Sequence, residues 1–178
     1  EPSGTRIYND LSVRYNYMTP WSFVIPEVSV RNVNTFFDKD TVQYYQNNGA
    51  TDSASTSSSE TKSITVPQFT LDTGLIFEKQ GKYLQTLTPR AFYAYAPYRN
   101  QDSHPNFDST TASISYDQLF SPNRFYGHDR LEDNNFASLG LSYSLFDEIG
   151  LERLKASVGQ SYYFEDRRVT LNNTADEI

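Results

Sequence analysis

The chain has 178 residues, with 15 Lys and Arg against 22 Asp and Glu, a net charge of −7 and no cysteine. The acidic balance argues against a nucleic-acid partner, because phosphate binding needs clustered Lys and Arg. The missing cysteines remove disulfide frameworks and Cys-ligated metals from this segment, and no run of about 18 apolar residues offers a transmembrane helix. Tyr and Phe number 14 and 12 although mean hydropathy is −0.64, a combination that suits a soluble all-β domain or a barrel with a wet interior.

Six stretches alternate apolar and polar residues at period two, the mark of strands with one apolar and one polar face. The first runs from about Ile7 to Tyr17 and passes through a tight connection, Met18-Thr19-Pro20-Trp21. The second covers roughly Phe23 to Phe37: Val24, Pro26, Val28 and Val30 oppose Glu27, Ser29 and Arg31, and the pattern blurs after Asn32. A polar stretch from about 38 to 62 follows, holding Asn47-Asn48-Gly49 and the low-complexity run Ser53 to Ser59. Such composition reads as a long loop.

The third strand, about Val66 to Glu78, sets Pro67, Phe69, Leu71, Leu75 and Phe77 against Gln68, Thr70, Asp72, Gly74 and Glu78. Lys79-Gln80-Gly81-Lys82 is a short turn. The fourth strand, Tyr83 to Ala96, leads into the longest connection, about 97 to 135. The fifth is Phe136 to Leu145, the link Phe146 to Gly150 is short, and the sixth is Glu152 to Phe164. Pro26, Pro67 and Pro89 cannot donate to a ladder and belong at a rim, a bulge or an unpaired site.

Short connections alternating with long polar ones mark an outer-membrane β-barrel. An Arg or Lys facing lipid near mid-bilayer costs about 2–4 kcal/mol. Arg14, Arg31, Arg90, Arg153 and Lys155 all fall on the polar face, so that face, with Asp72, is expected to line the lumen. The five cations are either contacts for a ligand or counter-charges for Asp10, Glu27 and Asp72; the second reading is favoured. Aromatic rings near the short turns (Tyr15, Tyr17, Trp21, Phe23, Phe77, Tyr83, Tyr143, Phe146) suit an interfacial girdle. Six strands cannot close alone, since the smallest membrane barrels need about eight. The fold expected is therefore all-β: an antiparallel transmembrane β-barrel segment, about six strands of a much larger outer-membrane barrel. Residues 1–178 are read as part of one barrel domain and as an internal piece of a longer protein.

Catalytic chemistry is weakly supported. His104 and His128 both lie in the long connection, and no G-x-S-x-G nucleophile motif occurs. The carboxylates Asp102, Asp108, Asp117, Asp129, Glu132 and Asp133 form no D-x-D-x-D series. No enzyme activity, catalytic residue, metal or cofactor is expected. The same connection holds too many apolar residues to leave in water, among them Tyr98, Phe107, Ile114, Tyr116, Leu119, Phe120, Phe125 and Tyr126. It is expected to fold back over the mouth or into the lumen, with a short helical turn near Tyr116 to Phe120.

Three motifs resemble the mid-barrel region of the LPS-assembly protein LptD family, also called organic solvent tolerance proteins. They are Leu87-Thr88-Pro89-Arg90-Ala91-Phe92-Tyr93-Ala94-Tyr95-Ala96-Pro97-Tyr98-Arg99-Asn100-Gln101, then Tyr116-Asp117-Gln118-Leu119-Phe120-Ser121-Pro122-Asn123-Arg124-Phe125-Tyr126-Gly127-His128-Asp129-Arg130-Leu131, and Leu151 to Leu154 with Ser157 to Phe164. The resemblance covers about residues 84 to 169. It implies a barrel of about 26 strands in the outer membrane of a Gram-negative bacterium. It further implies an LptE-like plug lipoprotein and insertion of lipopolysaccharide (LPS) into the outer leaflet of the membrane lipid. LPS would arrive by a periplasmic transport bridge through an N-terminal jellyroll domain; neither that domain nor the gate strands are in this sequence. On this resemblance Tyr116, Asp117, Asn123, Arg124, Gly127, Asp129 and Arg130 are candidates for organising the loop and meeting the plug. The rival readings are a general porin or solute channel, an outer-membrane enzyme and a soluble glycan-binding sandwich.

Overall fold

The computed structural model describes residues 4–37, 61–99, 110–111, 115–123, 125–126, 131 and 133–165. Its strands are β1 (Gly4–Arg14), β2 (Tyr17–Thr19), β3 (Ser22–Phe37), β4 (Thr61–Leu75), β5 (Phe77–Lys79), β6 (Leu84–Ala96), β7 (Thr110–Thr111), β8 (Phe125–Tyr126), β9 (Asn134–Phe146) and β10 (Glu152–Tyr163). The long strands form an antiparallel meander, β1-β3-β4-β6-β9-β10, with β2 on β3 and β5 on β6. β1 and β10 share no ladder, so the sheet is open. A two-residue ladder of β7 and β8 stands apart within the long connection.

The alternation read from the sequence sorts the side chains onto two faces. One row crosses the sheet as Arg14, Glu27, Thr70, Ala94 and Phe136; the next, on the opposite face, crosses as Val13, Val28, Phe69, Tyr95 and Asn135. Ser29, Arg31, Gln68, Thr70, Ser138 and Ser144 are buried on the polar face, whereas Leu11, Val13, Val28, Leu139, Leu141 and Val158 stand exposed on the other. An exposed apolar face this extensive needs a nonaqueous neighbour. Val28→Arg or Leu141→Arg is therefore expected to cost about 2–4 kcal/mol in a bilayer. Arginine at the polar-face neighbours Ser29 or Ser142 escapes that penalty. Urea unfolding of the full-length barrel in vesicles measures the difference.

Several boundaries depart from the expectation. β4 begins at Thr61 rather than Val66, because Phe36 and Thr35 extend the β3 ladder onto Thr61 and Lys62 after the alternation has faded. β1 starts at Gly4 and stops at Arg14, and its expected end becomes the separate β2. Phe23 and Phe146 do not join the girdle. Phe23 pairs with Gly74, and a Cβ on Gly74 would meet its ring at 2.6 Å. Phe146 shares the inner parity of Ser144. Tyr15, Tyr17, Trp21, Phe77 and Tyr83 are exposed.

The three prolines lie inside central strands, each opposite an interruption. Pro26 pairs with Leu71 on one side and faces the break between β1 and β2 on the other, where Tyr15 N donates to its carbonyl at 3.0 Å. Pro89 pairs with Leu141 and faces the break between β4 and β5. Pro67 pairs with Val30 where the β4–β6 ladder has ended. A missing N–H costs nothing at such places.

The β9–β10 link is fixed by Asp147. Its carboxylate accepts from Ile149 N at 3.0 Å, Leu151 N at 2.9 Å and Arg153 Nε at 2.7 Å, and Gly150 takes the positive φ of 80°. A bulge between Glu152 and Leu154 brings Arg153 to this turn. The hydrogen bond from Leu151, then those from Arg153 and Ile149, hold the Asp147 carboxyl below the usual carboxylate range. A carboxylate with a lowered pKa stabilises the fold above its unfolded value and loses that contribution as pH falls through the folded one. The Leu151 amide is thus expected to stay protected from exchange below pH 3.8, with Asp147→Asn removing the pH dependence.

Candidate functional site

The polar face carries a stack of cross-strand ion pairs. Arg14 Nε meets Glu27 Oε2 at 2.5 Å. Arg90 grips Asp72 with both ends of its fork, Nε to Oδ1 at 2.9 Å and Nη2 to Oδ2 at 2.6 Å. Arg31 lies opposite Asp10 and donates to Gln68 Oε1 and, at 3.2 Å, to Asn123 Oδ1. Arg153 pairs with Asp147 in the turn, while Lys155 is exposed opposite Ser144. Arg14 and Arg90 are thus matched by carboxylates on adjacent strands, a bidentate arrangement for Arg90.

Against this wall lies the long connection. The turn expected near Tyr116 to Phe120 is a 3-10 helix, Asp117–Phe120, closed by Ser121 N to Gln118 O at 3.3 Å. Phe120 is buried with Phe92, Ala94 and Phe136, and Tyr116, Leu119 and Tyr163 pack around them. The Arg90 guanidinium lies 4.3 Å from the centre of the Phe120 ring, a cation–π contact made while Arg90 holds Asp72. Beyond the helix, Asn134 Nδ2 donates to Pro122 O at 2.8 Å and Gln118 Nε2 donates to Asn123 O. A polar recess of about 420 Å³ remains between loop and wall, floored by Arg14, Glu27, Arg31 and Asp72.

Two glycines make this seat. Gly140 and Gly159 pair across β9 and β10, and both belong to the same pattern, Ser138-Leu139-Gly140-Leu141-Ser142 and Ser157-Val158-Gly159-Gln160-Ser161. A Cβ on Gly140 would run into the Phe120 ring and the Tyr116 hydroxyl, the latter at 2.8 Å; one on Gly159 would meet Leu119 Cδ1 at 2.7 Å. Ser138 and Ser161 share a 2.6 Å hydrogen bond beside them. The trough of small residues lets the helix lie flat on the sheet.

Of the loop candidates, Tyr116 packs edge-on to Phe120 with centroids 5.1 Å apart, Asp117 is exposed, and Asn123 reaches Arg31. Arg124, Gly127, Asp129 and Arg130 lie outside the described residues, as do both histidines and the Ser53 to Ser59 run. Gly140, Gly159, Phe92 and Asn134 were not singled out from the sequence. The doubled S-x-G-x-S pattern was the signal that could have found the glycines.

An open meander with an exposed apolar outer face, a charged inner face and a loop folded onto that inner face defines a segment of outer-membrane β-barrel wall. The family model described as LPS transport system D matches residues 1–177, and the chain belongs to the LptD family. It is 72% identical over 178 residues to "LPS-assembly protein LptD" of Acinetobacter baumannii, covering all of this chain and 21% of that protein. The protein of the same name from Acinetobacter baylyi is 67% identical over the same span. That of Chromohalobacter salexigens is 45% identical over 125 residues, or 67% of this chain and 15% of the relative. The chain spans about a fifth of the length of the relatives it matches most fully. Membership places it in the outer membrane of a Gram-negative bacterium.

Proposed function

We propose that this segment forms part of the lumen wall of an outer-membrane translocon that inserts lipopolysaccharide into the outer leaflet together with a plug lipoprotein. The match over residues 1–177 to the family model described as LPS transport system D carries this reading. The wall supports it physically. Its inner face offers paired charges and hydroxyls to a glycan, while its outer face keeps acyl chains in the membrane. Transport of this kind breaks no covalent bond, so the residues act by shape, charge and exclusion.

Within that reading, the seated turn around Tyr116, Asp117 and Asn123 narrows the lumen and presents a surface to the plug. Arg124, Gly127, Asp129 and Arg130, outside the described residues, remain candidates for plug contact on the family resemblance alone. Substrate would reach the wall from a periplasmic bridge through the N-terminal domain of the full protein. Photocrosslinking probes at Asp117 and Lys155 in the full-length barrel test this, with Val158 as the lipid-facing control. Adducts to LPS are expected from the inner probes, and adducts to a small lipoprotein from the inner probes alone. Silence from both, in a barrel that conducts small solutes, would favour a general porin.

A further inference from the structure

The two faces of the sheet exchange character near the long-loop end. On β3 the outward side chains run Val24, Val28, Val30 and then Asn32 and Asn34. On β4 Phe69 gives way to Thr65 and Ser63, and on β1 Val13 and Leu11 give way to Asn9. The inner face changes the other way. Val33, Ile64, Val66 and Ala96 are buried there around Leu131 from the long connection. Above this level the outward side chains are mostly polar, with Ile7 and Phe36 as exposed apolar exceptions, and the inward ones include a buried apolar cluster.

The level marks the membrane surface. Across the sheet it runs along one rung on β1, β3 and β4, Asn9–Asn32–Thr65, and reaches Asn135 on β9. Asn135 traces through Tyr95 and Phe69 to Val28, four residues earlier on β3 than Asn32. Tyr93, Tyr95, Tyr162 and Phe164 mark the same line with interfacial rings, Tyr162 and Phe164 being 5.2 Å apart.

At this line the outward amides form a ladder. Asn9 Nδ2 donates to Asn32 Oδ1 at 3.4 Å and Asn34 Nδ2 to the same oxygen at 2.5 Å. Asn32 Nδ2 reaches Thr65 Oγ1 at 2.9 Å and Ser63 Oγ at 3.2 Å. Asn32 is saturated. Among the described residues, the side-chain carbonyls of Asn9 and Asn34 accept nothing, and the patch holds no outward Lys or Arg. We propose that this patch, Asn9, Asn32 and Asn34 with Ser63 and Thr65, binds the neutral saccharide part of a glycolipid in the outer leaflet. Amides and hydroxyls in a fixed row match sugar hydroxyls, and the missing cation argues against phosphate. The patch continues the lipid-facing surface, so its occupant is a membrane component rather than the cargo in the lumen.

The test uses full-length protein in nanodiscs holding a glycolipid with its core sugars, the same lipid stripped of core sugars but keeping its phosphates, or phospholipid alone. Retained glycolipid per protein is counted by mass spectrometry after exchange into phospholipid. Asn9→Val/Asn32→Val/Asn34→Val is expected to release the sugar-bearing lipid about tenfold faster than wild type, the effect of roughly one net hydrogen bond. It should leave the stripped lipid unchanged. Threonine at the same three positions keeps hydroxyls on good strand formers and is expected to retain most of the binding. Equal release of the sugar-bearing lipid from wild type and the valine variant would overturn the proposal. So would an equal loss of the stripped lipid, which would mean phosphate or acyl-chain contact.

Discussion

Replacing Gly140 with valine is expected to unseat the Tyr116 to Phe120 turn while leaving the strands paired. The added carbons would occupy the space of the Phe120 ring and the Tyr116 hydroxyl. Both aromatics are held by Phe92, Ala94 and Phe136 and have little room to yield. Overpacking of this kind costs typically about 1–3 kcal/mol, and here the loop can relieve it by lifting off. Gly159→Val is expected to act in the same direction through Leu119. Limited proteolysis of the full-length barrel on intact cells reads the result: faster cleavage near Asp117, with the barrel's resistance to unfolding in detergent unchanged. Valine suits a strand better than glycine, so a general loss of folding would mean that the glycines serve the sheet instead.

The second large effect is expected at Arg90. Its guanidinium joins β6 to β4 through Asp72 and also meets the Phe120 face. Both members of the pair are mostly shielded, so truncating one leaves a poorly solvated charge. Arg90→Ala is expected to destabilise the loop-bound state by about 2 kcal/mol, discounted for the remaining exposure. Asp72→Ala alone should cost a similar amount, and the double variant less than the sum of the two. Arg90→Lys keeps the charge but loses the fork and most of the stacking, and should fall between wild type and alanine. A double-mutant cycle on urea unfolding checks the coupling, and Phe120→Leu separates the ring contact from the ion pair.

Period two made most of this wall legible. The faces of Arg14, Arg31, Arg90 and Lys155 follow from alternation alone, because one register slip would exchange every side chain between lipid and lumen. The upper ends were harder for the same physical reason. Past Val30 and Pro67 the outward positions turn mostly polar, with Ile7 and Phe36 as exceptions. Asn32 and Thr65 then invert the pattern while the backbone ladder continues to Phe36 and Thr61. Phe23 looked like a girdle ring by type, yet pairing with Gly74 turns it inward. The seat on Gly140 and Gly159 depends on two strands and a loop distant in sequence, so it needed the β9–β10 register as well as the doubled motif. The helical turn at Asp117–Phe120 was legible because its apolar residues had to be buried somewhere.

The most direct test of the whole account is a cysteine accessibility scan in the full-length protein, with any cysteines outside this segment replaced; the segment itself has none. Single cysteines at Ser12, Ser29, Ser142 and Ser157 sample the inner face, and those at Leu11, Val28, Leu141 and Val158 the outer. In native outer membranes a small, charged, water-soluble maleimide is expected to label the inner set and spare the outer one, with the order alternating residue by residue along β1, β3, β9 and β10. Labelling of the outer set as fast as the inner one would contradict the account, since it would place both faces of the sheet in water.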